Sequence, residues 1–245
     1  MTVKQYLLDK IDKGTIHVTL LDPEDQTPEK AAEMAKTMQD AGTDAFFIGG
    51  STGITSENLG STAKAIKEAT GLPVLYFPGS PEALSNEVDA ILFMSILNSK
   101  DPRFITAGQA FAAPIVRKLR IEPISMGYII VEPGMTVAKV TQAKVIPRDN
   151  PEKAVAYAMA GEMLGMSLIY LEAGSGAGAP VPPEMIAAVK KNIGVPLIVG
   201  GGIRTPEAAA AAHKAGADVV VTGTIVEESG DTKLLKDIVS AAKGL

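Results

Sequence analysis

Leu168-Ile-Tyr-Leu-Glu-Ala-Gly-Ser-Gly-Ala-Gly178 runs from a short apolar stretch into one carboxylate, Glu172, and then into a glycine-rich turn. Apolar residues up to Leu171 suit a buried strand. Glycines at 174, 176 and 178 let backbone N–H groups come close to a ligand. Successive N–H groups of this kind form a concavity that suits an anion, phosphate above all. The pattern recurs twice. Val195-Pro-Leu-Ile-Val-Gly-Gly-Gly-Ile203 ends in three glycines, and Asp218-Val-Val-Val-Thr-Gly-Thr224 ends in Thr-Gly-Thr. Three consecutive strands with such ends predict one shared phosphate pocket.

The same alternation extends outward. Strands are predicted at residues 15–21, 44–48, 73–77, 90–94 and 125–131, upstream of the three glycine units. Helices are predicted at 3–13, 27–41, 56–70, 102–119, 152–164, 183–192, 205–215 and 231–243. Thr27 caps the second of these, Pro28 sits in its first turn, and Gly42 stops it. Pro114 must kink or split the helix at 102–119. Residues 134–150 read as irregular. Between the third and fourth strands lie only residues 78–89, with Pro78, Gly79 and Pro81 at their start, so a crossover helix barely fits. Either that unit lost its helix or the connection is a short turn and loop.

Eight strands, all but one followed by a helix, argue for a parallel sheet. Units of about 30 residues favour a (β/α)₈ barrel, with residues 1–245 forming one domain and no linker between parts. Active sites of such barrels lie at the C-terminal ends of the strands, and phosphate sits in the loops after strands seven and eight. Here those loops hold Gly200–Gly202 and Gly223-Thr224.

Composition narrows the function. The chain has 245 residues, 46% hydrophobic and 21% charged, which suits a globular protein with a sizeable core. A net charge of −5 gives no footprint for nucleic acid. No apolar run reaches ~18 residues, so no transmembrane segment is expected. The mixed-charge N-terminus does not read as a signal peptide. Zero cysteines exclude disulfides, thiolate metal sites and a cysteine nucleophile, and fit a cytoplasmic protein.

Glu172, directly after a buried strand, falls at a barrel mouth, where it reads as a catalytic or ligand carboxylate rather than a loop charge. Tyr170 shares its parity and can face the same way, or simply fill the core. Asp22 follows the first strand and precedes Pro23, as a turn residue or a metal ligand. Glu24 and Asp25 read as solvent-facing. Ser51 and Thr52 follow Gly49-Gly50, to cap the next helix or to complete a Mg²⁺ shell of hard oxygen donors. His17 is expected at the wrong end of its strand for chemistry and His213 in a helix, so a histidine triad or zinc site is not expected.

His17-Val-Thr-Leu-Leu-Asp-Pro-Glu-Asp25, Phe47-Ile-Gly-Gly-Ser-Thr52, Tyr170-Leu-Glu-Ala-Gly-Ser-Gly176, Val199-Gly-Gly-Gly-Ile-Arg204 and Val221-Thr-Gly-Thr224 together resemble the geranylgeranylglyceryl phosphate synthases of archaea. The likeness covers essentially the whole chain, in order. The Tyr-Leu-Glu-x-Gly-Ser-Gly element is specific, whereas Gly-Gly-Gly-Ile-Arg is shared with other phosphate-binding barrels. The resemblance implies an α/β fold, a modified (β/α)₈ TIM barrel lacking the third helix. It implies a Mg²⁺-dependent prenyltransferase that joins geranylgeranyl diphosphate to the C3 hydroxyl of sn-glycerol 1-phosphate. Asp22 and Ser51 match the family's metal ligands. Glu172 is the implied general base, with Tyr170 beside it in the catalytic set. Tyr170, Leu171, Glu172, Ala173, Gly174, Ser175, Gly176, Gly201, Gly202, Gly223 and Thr224 match the residues that hold glycerol phosphate. A cytoplasmic homo-oligomer, dimer or hexamer, is implied, its product passing to the membrane.

One departure stands out. Many members have a lysine where this chain has Leu20, and that lysine contacts phosphate in them. Its absence points to the second group of the family, and Arg204 and Lys100 are candidates for the missing charge. Tyr76, Phe77, Phe93, Met94, Phe104 and Tyr128 are predicted to line an apolar trough for the prenyl tail. The sequence leaves three rivals open: a relative using a longer heptaprenyl donor, a barrel enzyme of phosphorylated sugar or indole precursors, and a lipid-phosphate carrier without catalysis.

Overall fold

The computed structural model describes residues 1–50, 53–79 and 81–245. Eight parallel strands close into a barrel in sequence order. They are β1 Ile16–Leu21, β2 Ala45–Ile48, β3 Val74–Tyr76, β4 Ala90–Ile96, β5 Glu122–Ile130, β6 Leu168–Glu172, β7 Leu197–Gly200 and β8 Val219–Thr222. Closure is made by β1 against β8, with Ile16 opposite Val219 and Thr19 opposite Thr222.

The helices are α1 Val3–Ile11, α2 Pro28–Ala41, α3 Ser56–Thr70, α4 Gly108–Leu119, α5 Met135–Val140, α6 Pro151–Met163, α7 Pro183–Asn192, α8 Pro206–Lys214, α9 Thr224–Glu228 and α10 Thr232–Ala242. Their ends follow local chemistry. Thr27, Thr55, Thr205 and Asn150 each accept an N–H of the first turn. Gly42 and Gly71 end α2 and α3 in the left-handed conformation.

Strand periodicity of two splits the core into two layers. Val18, Phe47, Leu75, Leu92, Met126, Tyr170, Ile198 and Val221 fill the barrel axis. Phe46, Ile48, Ile91, Ile129, Leu171, Val199 and Val220 face outward and pack on helix residues such as Ala35, Met38, Ile66, Ile186 and Ile238. Helix α1 closes the bottom: Leu7 is buried, with Val3, Tyr6 and Ile11 packed on the axial layer. Its first N–H groups, Val3 and Lys4, donate to the Glu122 carboxylate at 2.6 and 3.0 Å.

Among the described residues no helix joins β3 to β4, so the third helix is missing from the ring. Three local expectations change. Pro114 lies inside a continuous α4; the break comes earlier, where one π-helical turn, Arg103–Ala107, precedes Gly108. Proline removes a single donor on an exposed face there, which the helix survives. The stretch 134–150 contains α5. A short helix, α9, follows β8 directly; five residues are too few to show a period in the sequence.

Candidate active site

The C-terminal strand ends surround one cavity, lined by Asp22, Gly49, Phe77, Met94, Tyr128, Tyr170, Glu172, Gly201, Gly223 and Thr224 among others. Glu172 is the last residue of β6 and faces inward. Only 6% of its surface is exposed. Oε1 accepts the Gly174 N–H at 2.6 Å and Oε2 accepts the Tyr128 hydroxyl at 2.9 Å. Burial raises the carboxyl above its ordinary range, and the bonds from Gly174, Tyr128 and Tyr170 pull it partly back. Both tyrosines are pushed well above their ordinary range, first by burial and then by the Glu172 charge, so they remain neutral donors. Phe77, Tyr128 and Tyr170 stack edge-on or tilted, with ring centroids 5.0–5.7 Å apart.

The triple glycine has a packing reason as well. A side chain on Gly200 would strike the Tyr170 hydroxyl, and one on Gly201 would strike Glu172 Oε1. Gly201 also has φ of +80°, where other residues are strained. Gly176 differs: φ is +71° and open space lies where a side chain would stand, so its backbone is accessible from the cavity.

The structure sorts the other predicted residues. Ser175, Gly176, Gly201, Gly202, Gly223 and Thr224 line the cavity together with Tyr170 and Glu172. Leu171 and Ala173 are buried in the outer, helix-facing layer. They reach the site only through backbone. Gly174 gives its N–H to Glu172. Ser51 and Thr52 lie outside the described residues. His17 is buried between Thr43 and Thr222, and His213 bonds Thr15. Neither histidine lines the cavity.

Asp22 is half-buried at the mouth. Its Oδ1 accepts the Glu24 N–H at 3.0 Å, and its carboxylate lies against Gly50, where a side chain would strike it. Burial raises this carboxyl, and Asp25 and Glu24 add to the effect. Asp25 is exposed, as expected, and lines the cavity as well; so does Glu227 of α9. Glu227 was hidden from sequence reading because the helix that aims it was not visible. Four carboxylates thus meet one guanidinium, Arg204, among the described lining residues. Arg204 pairs with Glu228. Lys100 is not among the lining residues, and Leu20 occupies the wall itself. Among the described residues no cluster of three or more carboxylates or histidines is arranged to hold a metal alone. Among the described residues the donors at the mouth are single carboxylate oxygens of Asp22, Asp25 and Glu227, the hard type that Mg²⁺ takes one or two of while water and substrate phosphates complete its shell.

Beyond Met94 and Phe104 the cavity continues into an apolar trough lined by Leu84, Ile91, Phe93, Ala107, Phe111 and Ala112. It lies where the missing helix would have covered β4. Phe77, Phe93, Met94, Phe104 and Tyr128 line one cavity or the other, as expected. Tyr76 does not: strand parity turns it outward into the helix-facing layer.

Fold and mouth together define the class, a parallel (β/α)₈ barrel with a buried carboxylate and glycine-rich strand ends at its C-terminal face. The chain belongs to the PcrB family, whose pattern matches residues 9–242. It is 54% identical over 235 residues to the geranylgeranylglyceryl phosphate synthase of Thermococcus kodakarensis, covering 96% of this chain and 93% of the relative. It is 52% identical to that of Methanosarcina acetivorans, over 99% of this chain and 100% of the relative. The crystal structure of (S)-3-O-geranylgeranylglyceryl phosphate synthase from Thermoplasma acidophilum, in complex with sn-glycerol-1-phosphate, superposes with a TM-score of 0.97 at 43% identity and covers both chains completely. The tryptophan synthase alpha chain of Legionella pneumophila, at 13% identity and a TM-score of 0.63, shares the fold alone.

Proposed function

We propose that this chain is a prenyltransferase that joins geranylgeranyl diphosphate to the C3 hydroxyl of sn-glycerol 1-phosphate. The products are 3-O-geranylgeranyl-sn-glyceryl 1-phosphate and diphosphate. The observation that carries the reading is the placement of buried Glu172 between glycine-rich strand ends on one side and the apolar trough on the other. Relatives at 54% identity that carry this activity in their names support it. They also set aside the sugar and indole barrels, which share only the fold.

The hydroxyl oxygen attacks C1 of the allylic donor. A C–O ether bond forms, the bond from C1 to the diphosphate oxygen breaks, and diphosphate leaves with the electron pair. The hydroxyl proton passes to Glu172. A carboxylate raised by burial and aligned by three hydrogen bonds is suited to this role. Ser175, Gly176, Gly201, Gly202, Gly223 and Thr224 hold the acceptor phosphate, and Tyr170 packs beside its glycerol, so that the hydroxyl points at C1. Asp22, with Ser51, would hold Mg²⁺, which supplies charge neutralisation for the departing diphosphate. The excess of carboxylates over Arg204 supports that requirement. A cytoplasmic homo-oligomer, dimer or hexamer, belongs to the same reading; sedimentation of the purified protein gives its subunit number. Among the described residues no helix is long and apolar enough to cross a membrane.

A product assay tests the reaction: Mg²⁺, labelled sn-glycerol 1-phosphate and prenyl diphosphates of about ten to thirty-five carbons. Ether product should peak at the geranylgeranyl donor. A peak at longer donors would assign the heptaprenyl reaction, and no product with any donor would overturn the reading. The trough makes its own prediction. Burying one isoprene unit contributes on the order of a few kcal/mol, at about 0.8 kcal/mol per CH₂. Ala107 is exposed on the trough wall. Ala107→Trp should therefore shift the preferred donor toward shorter chains without unfolding the barrel; an unchanged preference would remove the trough from the donor site.

A further inference from the structure

Helix α9 is bonded to three other strand ends. Thr224 Oγ1 lies 2.9 Å from Ser175 Oγ after β6. Glu228 pairs with Arg204 after β7. Glu227 Oε1 accepts the Asp22 N–H after β1, at 2.9 Å. Asp22 is the first residue beyond the β1 ladder, whose last partner pair with β2 is Leu21 and Ile48. Its N–H points away from that ladder and is satisfied from across the mouth. Its carboxylate lies against the Gly50 backbone, in the space a side chain there would fill. Asp22 is thus anchored by a carboxylate on α9 and has its own carboxylate packed against the Gly50 backbone, two residues past β2.

We propose that Glu227 is a positioning residue: by anchoring the Asp22 backbone it fixes the Asp22 carboxylate toward the cavity, and so sets affinity for the magnesium–diphosphate end of the donor. The inference rests on the reading of the site given above. Removal of a group that orients a metal ligand costs about 10–100-fold in metal affinity. The hydrogen bond needs an acceptor oxygen and no charge, so glutamine can replace glutamate.

The experiment compares wild type, Glu227→Ala and Glu227→Gln. Binding of Mg²⁺ in the presence of inorganic diphosphate and binding of sn-glycerol 1-phosphate are measured by calorimetry, beside thermal melts and steady-state kinetics. Glu227→Ala should weaken Mg²⁺ binding by about 10–100-fold and raise the donor KM, with glycerol phosphate affinity held near wild type. Glu227→Gln should restore most of the Mg²⁺ affinity. Unchanged Mg²⁺ binding in Glu227→Ala overturns the proposal. So does equal weakening in both variants, which would assign the effect to charge. A parallel loss of glycerol phosphate binding overturns it as well, since the mouth would then have collapsed as a whole. Wild-type protein that makes no ether product counts against the reaction itself, and is scored before any variant.

Discussion

Glu172→Gln is expected to lower kcat by about 10²–10⁴-fold, the usual contribution of a positioned general base. Glutamine keeps an oxygen for the Gly174 N–H, which Glu172 Oε1 accepts at 2.6 Å, so the turn of the phosphate cradle stays in place. Affinity for sn-glycerol 1-phosphate, measured by calorimetry, should therefore change little. The loss would lie in the step where the hydroxyl proton moves. Equal kcat in the variant would remove Glu172 from the chemistry. The pH profile adds a signature. The base works deprotonated, and its pKa is raised mainly by burial, so activity should fall on the acid side along a limb above the ordinary glutamate range. Tyr128 donates to Oε2 and favours the ionised form. Tyr128→Phe should move that limb to higher pH.

The second large effect concerns folding. His17 is fully buried between the Thr43 and Thr222 hydroxyls, 2.9 Å from each. Burial lowers its pKa from 6.5 to about 3; Asp44 opposes the shift and Lys243 adds to it. The folded state thus keeps His17 neutral, while the unfolded chain binds a proton below pH 6.5. Its stabilising share is fully present above pH 6.5 and is lost as pH falls toward about 3. The slope is about 1.4 kcal/mol per pH unit inside that window. Denaturant melts between pH 7 and 4 should show wild type losing stability steeply. In His17→Gln, which starts less stable, the slope should be shallower by about that amount. Parallel slopes in the two proteins would show that His17 is not the group responsible.

Much of this molecule could be read from its residues, for identifiable reasons. Short continuous apolar strands, buried on both faces as a parallel barrel requires, and helices with threonine caps and glycine stops, are local features. The barrel follows from their regular order, and the gap at residues 78–89 already signalled the absent helix. Glu172 and the glycine turns stood out because a charge and three flexible positions directly after an apolar run are rare without use. What stayed hidden depends on tertiary approach. Glu227 gains its place only because α9 folds back over β1. Gly200 and Gly201 read as ligand-facing, yet both also make room for Tyr170 and Glu172. Tyr76 was misplaced because a three-residue strand, β3, is too short for parity to show from sequence. The π-helical turn at Arg103–Ala107 left no periodicity of its own.

The absent third helix has a consequence for how the family can diversify. The barrel axis is packed solid and stoppered by α1, so no long hydrocarbon can thread through it. On the proposed reading a donor tail lies sideways, along a gutter whose far wall is α4 and the π-helical turn. Those walls stand apart from the strand ladder that closes the barrel and from the glycine-rich ends of β6, β7 and β8. Donor length can therefore drift by single changes at positions such as Ala107 or Phe111, while the catalytic mouth and the closure of β1 on β8 stay untouched. One scaffold can in this way serve membranes built from lipids of different reach.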